Sequence, residues 1–133
     1  MTYLSKEEIL FINKTWISLF GGIYLEASDN VKNENSFNFL LQAPRQHVFG
    51  VELYSSIFEK AATYSFYIIK DHIFCDGNKR AGMMAAFFFL AKNGIKVAEE
   101  VSSKRVVNYA ERIAECKPTL KNVSMWLKDV STQ

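Results

Sequence analysis

The sequence contains little that would indicate a membrane span, a disulfide framework or a metal cluster. Its longest largely apolar run, AGMMAAFFFLA at 81–91, has 11 residues, whereas a membrane-spanning helix needs about 20. The two cysteines, Cys75 and Cys116, form no CxxC pair and have no metal-ligand spacing. The first residues also lack the basic start and continuous apolar stretch of a signal peptide. We therefore expect a cytoplasmic protein with reduced thiols and no membrane association.

An excess of charge of one sign is also missing. Sixteen Lys and Arg against fourteen Asp and Glu give a net charge of +2, which argues neither for nor against nucleic acid as a partner. Nothing in the sequence indicates direct nucleic-acid binding. What is present is apolar: 49% of 133 residues are hydrophobic, which predicts one folded domain over residues 1–133.

Hydrophobic periodicity predicts that the chain begins with a helix. The segment SKEE resembles a capping box, with Ser5 as the N-cap and Glu8 three residues later. Apolar residues then recur at helical spacing as far as Gly21 and Gly22, which are predicted to end the helix. Residues 26–36 are polar and rich in turn-forming types, so they are predicted to form a loop.

The middle of the chain is predicted to hold two long helices. A short helix over 37–42 comes first and is broken by QAPRQHVFG at 42–50. A long helix then starts at Val51, and its apolar stripe continues to His72. The next helix, from Gly77 to Asn93, is apolar nearly all round and should therefore be central in the fold.

Shorter elements are predicted to complete the chain. The segment GIKVAEEV at 94–101 is compatible with extended structure, whereas Ser102 or Ser103 can cap a further helix. Pro118 separates that helix from a short last one. The predicted fold is all-α, with one short β-hairpin as an optional addition.

Between the two long helices lies the cluster HIFCDGNKR, residues 72–80. It follows one segment that looks like core and precedes another. Its polar side chains are of types used in catalysis, and a glycine lies among them: His72, Asp76, Gly77, Asn78, Lys79 and Arg80. Free N–H groups and a positive dipole at the N-terminus of the following helix favour a bound phosphate.

The chemistry of these residues predicts a phosphoryl- or nucleotidyl-transfer site. His72 can take a proton from a hydroxyl, and Asp76 supplies a hard oxygen for Mg²⁺ (magnesium). Gly77 permits a ligand to approach the backbone closely, while Lys79 and Arg80 add positive charge. Asn78 can orient an oxygen. Individually, each also has a structural interpretation: a satisfied histidine, a helix cap or a solvated charged face.

The same nine residues fit HxFx(D/E)(G/A)N(G/K)R, the signature of the Fic/Doc family. The segments GGIYLEAS, FEKAATYSFYIIKDHIF and FFFLAKNGIKV also resemble the Doc (death-on-curing) branch, so the resemblance covers most of residues 1–100. It implies an all-α Fic-type helical bundle around the central apolar helix. It also implies transfer of a phosphate-containing group from a nucleotide to a protein hydroxyl.

Roles for individual residues follow from this resemblance. His72 would be the general base that deprotonates the target hydroxyl, and Asp76 would hold Mg²⁺. Gly77, Asn78 and nearby backbone N–H groups would form an anion hole, and Arg80 would bind nucleotide phosphate. The segment 42–50 lies where the family has a flap that holds an extended target peptide by strand addition.

Position 79 separates two reactions within the family. Lys79 resembles Doc proteins, for which the resemblance implies kinase chemistry with the γ-phosphate of ATP and elongation factor Tu as target. Gly77 instead resembles Fic proteins, so AMP transfer stays an alternative, as does a catalytically silent peptide-binding module. The inhibitory motif (S/T)xxxE(G/N) is not found, and the Doc resemblance implies that a separate antitoxin neutralises the protein.

Overall fold

A computed structural model describes residues 1–132, so the last residue of the predicted 1–133 domain lies outside it. Within these residues the fold is mainly helical, as predicted. The helices are α1 (Lys6–Phe20), α2 (Glu34–Gln42), α3 (Ile57–Lys70), α4 (Asn78–Lys92), α5 (Ser103–Ala114) and α6 (Leu120–Asp129). Short 3₁₀ turns cover Glu26–Ser28 and Ala43–Arg45. Two antiparallel pairs are formed by β1 (His47–Val48) with β2 (Val51–Glu52) and by β3 (Lys96–Val97) with β4 (Ser131–Thr132).

Helix α4 lies at the centre of the bundle, which confirms the prediction from its apolar sequence. It packs against α1, α3 and α5, and seven of its 15 residues are buried. Gly82 permits the closest of these contacts, because a Cβ atom there would lie 2.7 Å from Ile69 Cγ1 and 3.1 Å from the main-chain oxygen of Ser65. The α3–α4 pair that flanks the 72–80 cluster is therefore held at short range.

The first helix has the predicted ends. Ser5 Oγ accepts from the backbone N–H of Glu8, and Glu8 Oε1 accepts from the backbone N–H of Ser5, so the capping box is formed. The helix ends at the predicted glycines, with Gly21 as its C-cap. Its inner face buries Ile9, Ile12 and Ile17 together with one polar residue, Asn13.

The predicted start of the second long helix is wrong. The second long helix does not begin at Val51, because that residue pairs with Val48 in a hairpin and α3 begins only at Ile57, capped by Ser56. The hairpin turn consists of Phe49 and Gly50, both with positive φ (51° and 80°), as a two-residue type I′ turn requires. Apolar periodicity gave no indication of this turn.

The end of α3 and the predicted loop also differ. Helix α3 ends at Lys70, and the stripe does not continue to His72, whose φ of 48° is left-handed. Residues 26–36 are not simply a loop, because α2 already begins at Glu34. Val31 forms an isolated antiparallel bridge with Phe74.

Among residues 1–132, the helices are too short or too polar for any of them to span a bilayer.

Candidate active site

Residues 71–77 form the turn between α3 and α4, and the apolar residues of the turn anchor it to the core. Ile73 and Phe74 are both fully buried. The Phe74 ring contacts Phe37 edge-on, with 5.8 Å between ring centroids. Backbone N–H groups of Lys32 and Asn33 donate to the Ile73 oxygen at 2.7 and 3.2 Å. The segment before α2 therefore fixes the start of the cluster.

His72 is held by its backbone and leaves its imidazole exposed. The Asn33 side-chain amide donates to the main-chain oxygens of both Asp71 and His72, at 2.9 Å each. These bonds offset the unfavourable left-handed conformation of His72. The residue lines a cavity of about 630 Å³ between α1, α4 and α5. An exposed ring beside a cavity is accessible to a target hydroxyl.

The Asp76 carboxylate is oriented by backbone N–H groups. Oδ2 accepts from the N–H of Ile23 at 2.8 Å, and Oδ1 accepts from the N–H of Gly77 at 2.9 Å. The segment that follows α1 lies close to this carboxylate, because a Cβ atom on Gly22 would lie 2.9 Å from Asp76 Oδ2. Each carboxylate oxygen can accept more than one bond. Lone pairs are thus left for a cation.

Two buried asparagines hold the main chain at the same point. Asn13 Nδ2 donates to the Asp76 main-chain oxygen at 2.9 Å, and Asn30 Nδ2 donates to Asn13 Oδ1 at the same distance. The backbone oxygen of Asn30 accepts from the Cys75 N–H at 2.7 Å. Both asparagines are 1% exposed or less. Because buried hydrogen bonds are costly to break, this network should make the turn rigid.

The Asn78 side chain is committed to the turn itself. Its Nδ2 donates to the Phe74 oxygen at 2.9 Å, and its Oδ1 accepts from the Phe74 N–H at 2.8 Å. The amide therefore closes the turn rather than facing a ligand. What Asn78 offers an anion is its backbone N–H in the first turn of α4.

The N-terminus of α4 faces the cavity without a side-chain cap in the described part of the chain. Gly77 is the N-cap and is left-handed, with φ 78° and ψ 18°. A Cβ atom at this position would lie 3.0 Å from Asn13 Nδ2 and 3.2 Å from Ile17 Cγ1. Both the backbone and the packing thus require glycine here, and the uncapped N–H groups favour an anion.

The two cations of the cluster lie on different sides of the cavity mouth. Lys79 Nζ pairs with Glu111 Oε1 of α5 at 2.9 Å, and both side chains are about half exposed. The Arg80 guanidinium stacks over the Phe20 ring at 4.6 Å. Its donors stay accessible because Arg80 itself is exposed. Apolar side chains complete the cavity wall: Trp16, Ile69, Met83, Met84, Val106 and Ala110.

The structure brings all six predicted residues to one cavity, and their roles remain predictions. Among residues 1–132 no group of three or more His, Cys, Asp or Glu side chains could form a protein-only metal cage. A single carboxylate suits Mg²⁺, which commonly keeps water and substrate phosphates as its other ligands. The donor set around Asp76 is consistent with such an ion.

Several residues that position the site were not predicted from the sequence. Asn13 had a detectable signal, because it is a polar residue on the buried face of α1 between Ile12 and Ile17. No such sequence signal marks Asn33 or Glu111, since asparagine in a polar segment and glutamate on a helix are ordinary surface residues. Their contacts depend on which segments meet in space.

Comparisons with a family model and with two known proteins point to the same family. The model of the Fic/DOC family matches residues 3–90. The chain is 27% identical over 112 residues to "Toxin Doc" of Mycolicibacterium smegmatis, covering 84% of this chain and 80% of that protein. It is 29% identical over 97 residues to "Protein kinase doc" of Escherichia phage P1, covering 73% of this chain and 72% of the relative.

Proposed function

Because the chain belongs to the Fic/Doc family and resembles members of its Doc branch, we propose that it is a Doc-like toxin. It transfers the γ-phosphate of a nucleotide to a Ser or Thr hydroxyl of a translation factor such as elongation factor Tu. The observation that carries this proposal is the single cavity that His72, Asp76 and Arg80 share with the uncapped N-terminus of α4.

Each step of the reaction has a group of this chain near it. His72 accepts the proton of the target hydroxyl as its oxygen forms a bond to the γ-phosphorus. The bond between the γ-phosphorus and the β–γ bridging oxygen breaks, and the nucleoside diphosphate leaves. Backbone N–H groups of the first α4 turn, with Arg80, bind the phosphate oxygens and stabilise the charge that develops in the transition state. Asn33 keeps the His72 backbone in place during the transfer.

We propose Mg²⁺ as the metal ion and ATP as the nucleotide of this site. Asp76 would hold the ion together with phosphate oxygens, and the bound ion would offset phosphate charge. The backbone bonds from Ile23 and Gly77 fix the direction in which the carboxylate faces the cavity. A rotating carboxylate would lose part of its affinity because it would have to be ordered on binding.

Lys79 favours kinase chemistry over AMP transfer. Its side chain lines the cavity, pairs with Glu111 and occupies space beside the candidate phosphate-binding end of α4. Gly77 was the feature that kept AMP transfer open. The positive φ and the close contact with Asn13 explain glycine at this position by packing alone, so Gly77 gives less support to AMP transfer than its resemblance to Fic proteins suggested.

The β1–β2 hairpin supports an extended protein target. Phe49 at its tip is fully exposed and left-handed, a costly combination for a bulky apolar residue. At the base of the hairpin, buried Lys60 donates to the Pro44 oxygen at 3.0 Å and lies 3.4 Å from Glu52. We propose that this hairpin pairs with the target chain by strand addition.

Neutralisation by an antitoxin is also proposed. The name "Toxin Doc" belongs to a relative, and a toxin of this kind needs a partner that restrains it in the cytoplasm. Exposed apolar side chains next to the cavity offer such a partner a surface: Leu19, Phe20 and Ile23. Growth arrest on expression alone, relieved by co-expression of a protein that binds this surface, would support this part of the proposal.

Intact mass spectrometry tests the reaction. Elongation factor Tu is incubated with the protein, ATP and Mg²⁺, in parallel with His72→Ala and Asp76→Asn. We expect a mass increase of one phosphate that both variants lose. Asp129→Asn, which removes a carboxylate at the far end of α6, is the matched control and should keep the activity.

Other outcomes identify the alternatives. An increase of one AMP, enhanced by Lys79→Gly, would replace the kinase proposal by AMP transfer. No transfer to any protein in a cell lysate, combined with target binding that His72→Ala leaves unchanged, would indicate a silent peptide-binding module.

A further inference from the structure

The ion pair between Lys79 and Glu111 joins two helices across the mouth of the cavity. Lys79 lies in the first turn of α4, and Glu111 lies in the last turn of α5. Their charged atoms are 2.9 Å apart, and both residues line the cavity. The ammonium group of the lysine that lines the cavity is thus already bound to a carboxylate of the same chain.

Glu111 differs from the other charged residues around the cavity. Asp76 accepts two backbone hydrogen bonds and is the candidate metal ligand. Arg80 rests on the Phe20 ring and has no carboxylate partner among residues 1–132. Glu111 neutralises Lys79 where the phosphates of a nucleotide would need a free cation.

We infer that Glu111 competes with phosphate for the Lys79 ammonium group, and that this carboxylate limits the affinity of the site for a chain of phosphates. The inference rests on the proposed function of the cavity as a phosphate site. An ammonium group has three donors and can exchange one oxygen partner for another. Because an exposed pair is only weakly stabilising, a ligand can open it readily.

A second ion pair near the same helix end provides a matched comparison. Glu115, the C-cap of α5, lies 3.6 Å from Lys117, and neither residue lines the cavity. Replacing Glu115 by Gln removes the same charge from the same end of the helix without touching Lys79. Any effect of Glu111→Gln that depends on competition for Lys79 should be absent from Glu115→Gln.

Titration calorimetry with inorganic tripolyphosphate at low salt tests the inference. This probe has no base or ribose and needs no transfer reaction. We expect Glu111→Gln to bind it about three- to tenfold more tightly than wild type, because the Lys79 ammonium group is released from its carboxylate partner. Glu115→Gln should bind like wild type. In a Lys79→Met background, Glu111→Gln should change the affinity by less than about twofold, because the competition is gone.

Several results would overturn the inference. Equal or weaker binding by Glu111→Gln would show that the carboxylate does not compete. An equal gain in Glu115→Gln, or a gain that persists without Lys79, would indicate general charge repulsion instead. Absence of binding by both wild type and Glu111→Gln would remove the phosphate site that Glu111 is inferred to limit. If the calorimetry gives the expected pattern while mass spectrometry detects no transfer, the proposed function fails and the inference stands.

Discussion

Replacement of Gly77 by Ala tests how tightly the turn before α4 is packed. The substitution adds one methyl group to a residue with φ 78°. That group would meet Asn13 Nδ2 at 3.0 Å, and this nitrogen donates to the Asp76 main-chain oxygen at 2.9 Å. The added methyl carbon would also lie 3.2 Å from Ile17 Cγ1. The side chains of α1 must therefore move, or the turn must.

Two terms contribute to the expected loss of stability. A left-handed conformation costs an L-residue about 1–2 kcal/mol. Overpacking and displacement of the buried Asn13 amide add about 1–2 kcal/mol more. We expect the free energy of unfolding to fall by about 2–4 kcal/mol in total.

Gly94→Ala is the control that separates the two terms. Gly94 has a similar φ of 89°, but a Cβ atom there would have no neighbour within 4 Å. Its replacement should cost only the backbone term, about 1–2 kcal/mol. Urea denaturation of both variants measures the difference. Equal losses of unfolding free energy in the two variants would refute the packing argument. The presence of glycine at position 77 would then have to be explained by ligand binding.

Three further predictions concern other parts of the molecule. Phe49→Asn should leave the stability unchanged or slightly higher, since Asn tolerates positive φ, but should raise KM for the protein target more than it lowers kcat; unchanged steady-state kinetics would contradict target binding by the hairpin. Lys60→Met should leave the buried Pro44 oxygen unpaired and reduce the free energy of unfolding by about 1–3 kcal/mol in urea denaturation; a neutral effect would count against this anchor. A hydrogen bond from Lys92 lowers the pKa of Glu8 below its ordinary value of 4.5, so this stabilisation is present above that value and is lost as pH falls through the lowered pKa. Glu8→Gln should therefore be less stable than wild type at pH 7 and equally stable in acid, and a constant difference across pH would contradict the ion-pair contribution.

The helices were predictable where local sequence decides the structure. The capping box at Ser5 and the apolar circumference of α4 are properties of adjacent residues, and both predictions are confirmed. The start of α3 was missed because Val51 and the residues after it continue an apolar pattern. Val51 instead pairs with Val48 across the Phe49–Gly50 turn, which the sequence did not indicate because Phe is a rare residue at positive φ.

The candidate site was predictable as a set of residues but not as an arrangement. The motif identified which side chains are close in sequence, and all six do line one cavity. It assigned Asn78 a role toward the anion, whereas its amide binds the Phe74 backbone. It was also silent about Glu111, which lies 32 positions away from Lys79 in sequence. Such contacts depend on packing between helices.

The buried network around Asp76 has a consequence for protein design. The nine-residue motif does not determine its own shape, because Asn13, Ile23 and Asn30 bind Asp76 or its neighbour from outside, and Asn33 holds His72. Transplanting HIFCDGNKR between two helices of another scaffold would therefore transfer the chemistry without the geometry. A functional graft would have to carry the end of α1 and the segment up to Asn33 as a second, discontinuous piece.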